Sequence, residues 1–142
     1  MSDVPVFAHR LVVRFADCDL LGHVNNAVYL TYFESARMAF WMHVNGRPDL
    51  SAMDMILARA EVDYRSPLGY GDEVEVGVRC ASIKRSSFVL EQAMIERRSG
   101  RLVAQARKVL VHYDYAAGRS KTLPEELRQR LMAQDPDLRI EV

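Results

Sequence analysis

Apolar residues recur at two different periods along the chain, and the change of period separates one helical segment from several extended ones. From Asn26 to about Val44 they recur at spacings of four and three, which is the period of an α-helix. Asn25 or Asn26 supplies the cap at its start, and Asn45-Gly46 followed by Pro48 supplies its end. Because the surface of this helix is apolar on most sides, the pattern predicts a long buried helix.

The remaining segments favour β-strands, since they alternate polar with apolar residues or are rich in valine and leucine. The predicted strands cover residues 7–15, 56–65, 73–80, 87–97 and 102–113. The short Ser99-Gly100 turn predicts a hairpin between the last two strands. In the last strand the apolar parity shifts near Arg107 and Lys108, which predicts a β-bulge there. Pro124 opens a short amphipathic helix over residues 125–133.

The order of these elements predicts an α+β fold, in which an antiparallel sheet of about five strands curls around one long buried helix, with a short helix at the C-terminus. No repeat or long linker interrupts the chain, so residues 1–142 are interpreted as one domain. Such a sheet keeps two open edges. We therefore expect edge pairing with a second copy, giving a homodimer or homotetramer.

The composition of the chain argues against several classes of protein. The chain has 142 residues with 19 basic and 19 acidic side chains, so it lacks the positive charge typical of a nucleic-acid-binding protein. Its two cysteines, Cys18 and Cys80, form no Cys-x-x-Cys pair, which argues against a disulfide scaffold or a thiolate zinc site and favours a reducing, cytoplasmic location. No apolar run approaches the ~18 residues of a membrane span, and no secretion signal precedes the first strand.

The densest cluster of unusual residues lies between the first strand and the long helix, over residues 14–26. Asp19 precedes the helix N-terminus, where free backbone N–H groups and the helix dipole polarise a carbonyl oxygen. Gly22 permits close approach of the backbone, and Asn25 and Asn26 add amide groups. Together these residues predict a nucleophile or base directed at an electrophilic carbonyl.

Each of these residues also has a structural interpretation. Asp17 and Asp19 before a glycine are typical of turns in which carboxylates cap backbone amides. His23 is either a general base or ligand anchor, or a turn histidine bonded to backbone. Cys18 points away from the two aspartates in an extended chain and is interpreted as a small buried filler. Three further histidines stand alone, and we expect no metal site: His9, His43 and His112.

Two charged pairs remain. Glu34 and Arg37 are three residues apart on the long helix, which predicts first an intrahelical ion pair and second a functional carboxylate with its partner. Lys84 and Arg85 fall in a turn between two strands, where solvated cations and a phosphate-binding patch are the alternatives.

The run DCDLLGHVNNAVYL at residues 17–30, continued by FESAR at residues 33–37, resembles the 4-hydroxybenzoyl-CoA thioesterase family of hot-dog-fold acyl-CoA thioesterases. Its His-Val-Asn-Asn form is most similar to the long-chain acyl-CoA thioesterase branch and its acyl-carrier-protein relatives. The resemblance continues through residues 63–72 and the turn at residues 84–88, so it covers residues 8 to 115.

The resemblance implies hydrolysis of an acyl-CoA without a cofactor. It implies that Asp19 acts as nucleophile or general base, that amides around Val24 and Asn26 polarise the thioester carbonyl, and that Lys84 and Arg85 approach the phosphates of coenzyme A at a subunit interface. The acyl chain would enter between subunits, beside the long helix. The candidate catalytic residues are Asp19, His23 and Asn26, and the candidate substrate-binding residues are Gly22, Val24, Asn25, Lys84 and Arg85.

Three rival functions remain open at this point. Plant acyl-carrier-protein thioesterases resemble the chain at Asp19 and His23, although they carry Asn in place of Leu21. Hot-dog dehydratases place a histidine before a Pro-Gly turn and a carboxylate on the helix; Glu34 fits the second feature, but no Pro-Gly follows His23. The third rival is a domain that binds an acyl thioester without turnover.

Overall fold

The structure is a computed structural model and describes residues 5–46 and 54–141. Its elements, in chain order, are β1 (Phe7–Val12), a 3-10 turn (Phe15–Asp17), α1 (Asn26–Asn45), β2 (Met55–Tyr64), β3 (Glu73–Ile83), β4 (Ser87–Glu96), β5 (Leu102–Asp114), β6 (Arg119–Ser120), α2 (Glu125–Gln134) and β7 (Arg139–Ile140). Each predicted strand and both predicted helices are present, which confirms the α+β arrangement.

The five long strands form one antiparallel sheet in the order β1-β3-β4-β5-β2. The short β6 extends β5, and β7 runs parallel to the end of β3. Helix α1 lies across one face of this sheet, where Gln92 Nε2 on β4 donates to the Phe33 carbonyl oxygen at 2.8 Å. The core between helix and sheet is built from Phe33 and Phe40 of α1 and from fully buried strand residues, namely Val76, Val78, Leu90 and Met94.

Both ends of α1 carry the predicted caps. The Asn25 side chain accepts the Ala27 N–H at 2.9 Å, which makes Asn25 the N-cap. Gly46 ends the helix at φ 70°, a left-handed conformation that favours glycine, and its N–H bonds to the His43 carbonyl. Pro48, which was predicted to reinforce this end, lies outside the described residues.

The predicted first strand was too long at its C-terminal end. β1 stops at Val12, and the chain then bends into the 3-10 turn. The cause is the Asp17 carboxylate, which accepts the backbone N–H of Arg14 at 3.1 Å and so holds a turn where valine and phenylalanine alone favour an extended chain.

The predicted bulge near Arg107 and Lys108 is wrong. Both residues pair in register with β4, and the register shifts lie elsewhere, between Leu57 and Arg59 of β2 and between Cys80 and Ser82 of β3, with a third where β5 begins. The alternation of buried and exposed residues in β5 continues through Lys108, which is 2% exposed. A lysine at this buried position made the alternation of apolar residues in the sequence appear to shift.

Helix α1 is buried on one face rather than all round. Leu30 is 43% exposed, and Glu34 is exposed as well. The predicted ion pair between Glu34 and Arg37 is also wrong, because among the described residues no carboxylate lies within 4 Å of the Arg37 guanidinium. Arg37 instead turns inward and is 9% exposed. No described helix is long and apolar enough to cross a membrane.

Candidate active site

A tight turn carries Asp19 to the tip of a small hairpin. Cys18 and Val24 pair as an antiparallel bridge at its base. The Asp19 N–H donates to the His23 carbonyl at 2.9 Å, and the Gly22 N–H donates to the Asp19 carbonyl at 3.0 Å. Gly22 has φ 81°, a conformation that side chains other than glycine adopt with strain, so the turn requires glycine here.

The Asp19 carboxylate is exposed and is held by one of its two oxygens. Oδ1 accepts the Leu21 N–H at 2.9 Å, which is the turn-capping contact that the sequence offered as the structural alternative. Oδ2 makes no hydrogen bond within the described part of the chain. The turn therefore orients the carboxylate and leaves one oxygen available to a ligand.

Asp17 lies in a different environment, although it is two residues away. It is 4% exposed and accepts bonds from Arg14 Nη2 at 2.8 Å and from the Tyr32 hydroxyl at 2.5 Å. The Arg14 guanidinium is the main reason that the pKa of Asp17 is lowered to about 2. Burial, with Asp17 beside it, raises the pKa of Tyr32. Asp17 thus ties the loop to α1 as a permanent anion.

The N-terminus of α1 opens next to this loop. Asn25 occupies the cap, and its carbonyl accepts the Val28 N–H at 2.9 Å. The N–H of Asn26 has no hydrogen-bond partner among the described residues. A free first-turn N–H at the positive end of a 20-residue helix can polarise a carbonyl oxygen.

The segment after β2 forms the second wall of the site. The Val24 N–H donates to the Leu68 carbonyl at 2.9 Å, and the Leu68 N–H donates to the Tyr29 hydroxyl at 3.1 Å. His23 pairs with Gly69 as an antiparallel bridge. Through these bonds the loop, α1 and the chain before β3 form one connected unit.

Tyr64 also lies at the start of α1, although it is not among the catalytic or binding candidates predicted from the sequence. Its hydroxyl donates to the Asn26 carbonyl at 3.0 Å, and its ring meets the Tyr29 ring edge-on with 5.2 Å between centroids. Tyr64 is 48% exposed, so it lies at the surface beside the helix N-terminus. In the sequence, Tyr64 stands at the end of a strand with alternating polar and apolar residues. That position is equally typical of a residue with a purely structural role in a sheet.

His23 and Asn26 flank the start of α1 in the chain, and the structure gives neither side chain a partner among the described residues. Both are exposed, and within the described residues neither side chain makes a hydrogen bond. The contacts of His23 are made by its backbone, so its imidazole is free to meet a ligand.

Lys84 and Arg85 lie at the other end of the sheet. The Asp19 loop contacts the chain just before β3, and Lys84 follows the end of this 11-residue strand, so at about 3.3 Å per residue the two places are roughly 35 Å apart. Lys84 Nζ lies 3.8 Å from a Glu141 carboxylate oxygen, and Arg85 Nε donates to Thr122 Oγ1 at 3.2 Å. One chain therefore does not bring the two predicted groups together.

Several large apolar side chains are exposed in the Asp19 loop and in the segments that adjoin it. Leu20 and Leu21 at the tip of the turn are 106% and 82% exposed. Phe15 and Tyr70 are 79% and 69% exposed, and their rings meet edge-on with 5.9 Å between centroids. Exposed apolar side chains of this size are typical of surfaces that bind a ligand or a partner.

Comparison with known proteins decides the family. A sequence profile of the Thioesterase-like superfamily matches residues 13–131. The chain belongs to this superfamily. A thioesterase from Thermus thermophilus, solved in complex with coenzyme A and zinc, is 40% identical, with 96% of this chain and 98% of that chain covered and a TM-score of 0.83.

Two other relatives have more specific names. The long-chain acyl-CoA thioesterase FadM of Escherichia coli K12 is 26% identical over 124 residues, which is 86% of this chain and 94% of FadM. A 1,4-dihydroxy-2-naphthoyl-CoA thioesterase from Synechocystis is 21% identical, with a TM-score of 0.78 and coverage of 88% and 94%, and this likeness bears on the fold alone.

These matches confirm the hot-dog fold and make the protein a thioester hydrolase. The matches establish membership of the superfamily. Placement in the 4-hydroxybenzoyl-CoA thioesterase branch stays a prediction. Among the residues that the structure describes, no group of three His, Cys, Asp or Glu side chains is arranged to hold a metal ion.

Proposed function

We propose that the protein hydrolyses an acyl-CoA to the free acid and coenzyme A, with Asp19 as the reacting carboxylate. The observation that carries this proposal is the carboxylate itself, exposed and oriented by the Leu21 N–H through one oxygen while the other oxygen is free. The names of two relatives support the substrate class, since one was solved with coenzyme A and the other acts on long-chain acyl-CoA.

Hydrolysis of a thioester requires few catalytic groups. Asp19 Oδ2 either attacks the thioester carbon, or removes a proton from a water molecule that attacks it. The oxygen that becomes negative is stabilised by the free N–H of Asn26 and the dipole of α1. The C–S bond then breaks, and coenzyme A leaves as a thiolate, whose ordinary pKa near ~8.5 means that it needs little help from an acid. On the nucleophilic route, water then hydrolyses the anhydride between Asp19 and the acyl group.

The neighbouring residues position the Asp19 carboxylate and the start of α1. Gly22 allows the turn that presents Asp19, while Val24 and Asn25 fix the chain that leads into the helix. His23 and Asn26 add free polar side chains beside the reacting carbonyl.

Coenzyme A binding is proposed to span two copies of the chain. Lys84 and Arg85 are too far from Asp19 in one chain to hold the phosphates of the same ligand. β2, a strand of 10 residues at the end of the sheet order, offers an edge for a second copy to pair with. We therefore propose a homodimer or homotetramer, located in the cytoplasm, in which one copy supplies Asp19 and another supplies the two cations.

The first experiment measures thiol release from short-chain, long-chain and aromatic CoA esters by the wild type and by Asp19→Asn. We expect the wild type to hydrolyse at least one ester, and Asp19→Asn to lose about 100-fold or more in kcat, a typical effect of removing a group that acts in the transition state. An acyl-carrier-protein thioester is assayed in parallel. Turnover of that substrate alone would favour the carrier-protein function, and binding of CoA esters without any turnover would favour a binding domain.

The second experiment tests the phosphate-binding role. The double variant Lys84→Ala/Arg85→Ala should raise KM for CoA esters about tenfold or more, because charge-assisted contacts to phosphate are lost. Short thioesters without the nucleotide provide the control, and their KM should stay unchanged. Equal effects on both kinds of substrate would overturn the assignment of Lys84 and Arg85.

A further inference from the structure

The first turn of α1 leaves one backbone N–H free while the next two are bonded. The Ala27 N–H donates to the Asn25 side chain and the Val28 N–H donates to the Asn25 carbonyl, each at 2.9 Å. The Asn26 N–H precedes both and has no partner within the described chain. Of these three amides, that of Asn26 is therefore the one that can donate to a ligand.

The start of α1 is tied by backbone bonds to the loop that carries Asp19. The Asn25 N–H donates to the Asp17 carbonyl at 3.1 Å, and the Asp19 N–H donates to the His23 carbonyl at 2.9 Å. These bonds fix the helix start relative to the loop. The free amide and the exposed carboxylate therefore belong to one connected piece of backbone.

The peptide group that follows Asn26 is held at both of its ends. Its N–H, which is that of Ala27, donates to the Asn25 side chain, and its carbonyl, which is that of Asn26, accepts the Tyr64 hydroxyl at 3.0 Å. The peptide group before Asn26 is fixed through the Asn25 carbonyl, which accepts the Val28 N–H. Three of the four polar backbone atoms in these two peptide groups are thus engaged, and the Asn26 N–H is left.

The bond from Tyr64 is additional to those that the helix makes for itself. In an α-helix the first carbonyls accept N–H groups four residues further along, and a carbonyl oxygen has two lone pairs, so that of Asn26 can accept a second donor. The bond adds little to stability, because Tyr64 is 48% exposed and its hydroxyl would otherwise bond to water. Its main effect is therefore to tie the first turn of α1 to a residue of the sheet.

Tyr64 is itself held in place from two sides. It is the last residue of β2 and pairs with Ala104 of β5. Directly after it, the Arg65 N–H donates to the Val103 carbonyl at 2.8 Å. The Tyr64 ring also meets the ring of Tyr29 edge-on, with 5.2 Å between centroids, and Tyr29 is 4% exposed. The hydroxyl is therefore fixed by the sheet and by the core.

We propose that Tyr64 is a positioning residue, whose hydroxyl holds the first turn of α1 so that the Asn26 N–H stays directed at the thioester carbonyl oxygen. Donors that stabilise an oxyanion are effective because they are oriented before the charge develops, and a donor that must reorient during the reaction loses part of that gain. Tyr64 bonds to the helix rather than to the reacting atoms, so it acts through Asn26. This role rests on the hydrolysis proposed above and adds a residue of β2 to it.

The kinetic test removes the hydroxyl and keeps the ring. In Tyr64→Phe we expect kcat for the best CoA ester to fall about tenfold, because the polarising amide is less well oriented in the transition state, while KM stays within about twofold of the wild type. Tyr64→Leu removes the ring as well. If the ring bound the substrate instead, Tyr64→Phe would keep the wild-type kcat and Tyr64→Leu would raise KM, and that pattern would overturn the proposal.

Tyr115 offers a matched control at the opposite end of the 10-residue strand β2. Its hydroxyl donates to the Met55 carbonyl at 2.9 Å, its ring meets that of Tyr113 edge-on with 5.1 Å between centroids, and it is 61% exposed. Tyr115→Phe therefore removes a bond of the same kind away from the helix N-terminus, and it should keep the wild-type kcat and KM. An equal fall of kcat in Tyr115→Phe and Tyr64→Phe would contradict a positioning role.

Hydrogen exchange tests the same contact without turnover. The amides of Ala27 and Val28 are bonded in the first turn, so their exchange rates, followed residue by residue with NMR, report how firmly that turn is held. We expect both amides to exchange at least about threefold faster in Tyr64→Phe than in the wild type, and at the wild-type rate in Tyr115→Phe. Unchanged exchange in Tyr64→Phe would overturn the proposal.

The two measurements also separate this proposal from the hydrolysis on which it rests. Thiol release by Asp19→Asn tests the hydrolysis itself. A wild type that hydrolyses no CoA ester, or a full rate in Asp19→Asn, would overturn the proposed function whatever Tyr64→Phe does. A loss of activity in Asp19→Asn, together with wild-type kcat or wild-type exchange in Tyr64→Phe, would overturn the role of Tyr64 alone.

Discussion

Asp17 and Asp19 stand two positions apart in one loop and differ in almost every physical respect. Asp17 is 4% exposed, with both oxygens bonded to Arg14 or Tyr32. Asp19 is exposed and uses one oxygen to bond the backbone of its own turn. A carboxylate with all its bonds made inside the protein stabilises structure, whereas an oriented carboxylate with a free oxygen can react. The two aspartates thus separate the building of the site from its proposed chemistry.

The largest structural effect should come from Asp17→Asn. The change removes the charge that Arg14 faces and weakens the bond from the Tyr32 hydroxyl, and hydrogen bonds to charged groups are worth about 1.5–3 kcal/mol each. We expect the free energy of unfolding to fall by about 2–3 kcal/mol, measured by urea denaturation. Asp19→Asn is the matched control and should lose less than about 1 kcal/mol, since its one turn bond is exposed. An equal loss of unfolding free energy in both variants would contradict the different roles assigned to the two aspartates.

The same comparison has a pH signature. The folded-state pKa of Asp17 is lowered from 3.8 to about 2, so its ion pair stabilises the fold fully above pH 3.8 and is lost as the pH falls through about 2. The difference in Tm between wild type and Asp17→Asn should therefore be largest near neutral pH and shrink between pH 3.8 and 2. A difference that stays constant across this range would show that Asp17 acts through shape rather than through charge.

A smaller effect isolates the contact with the helix. Tyr32→Phe removes the hydroxyl that donates to Asp17 Oδ2 and leaves the Arg14 pair intact. We expect a loss of about 1–2 kcal/mol in unfolding free energy, less than for Asp17→Asn, because one hydrogen bond is lost and a buried ring is kept. Combining Tyr32→Phe with Asp17→Asn should cost less than the sum of the single changes. Full additivity would mean that the two residues do not act as a pair.

More of the fold than of the site could be predicted from the sequence. The 3.6-residue period of α1 and its Asn25 and Gly46 caps are local signals, and they gave the helix within a residue or so at each end. Alternation likewise gave the strands. The bulge prediction failed at Lys108 because a buried cation over Phe33 occupies a position where the pattern favours an apolar residue.

The site depended on contacts that no local pattern encodes. The sequence marked both aspartates as unusual, but what distinguishes them is Tyr32, 15 residues away from Asp17 and on another element. The bond from the Tyr64 hydroxyl to the Asn26 carbonyl could not be predicted for the same reason, since it spans 38 residues. Lys84 and Arg85 were expected to contact the phosphates of coenzyme A at a subunit interface, and this stays a prediction, since the length of β3 separates them from Asp19 within one chain.

The most direct test of the catalytic role of Asp19 compares the turnover of the two variants. Thiol release from the best CoA ester is measured for Asp19→Asn and Asp17→Asn at a temperature at which circular dichroism shows both to be folded. We expect kcat to fall about 100-fold or more in Asp19→Asn and less than about tenfold in Asp17→Asn. A full rate in Asp19→Asn, or an equal loss in both variants, would contradict the assignment of the chemistry to Asp19.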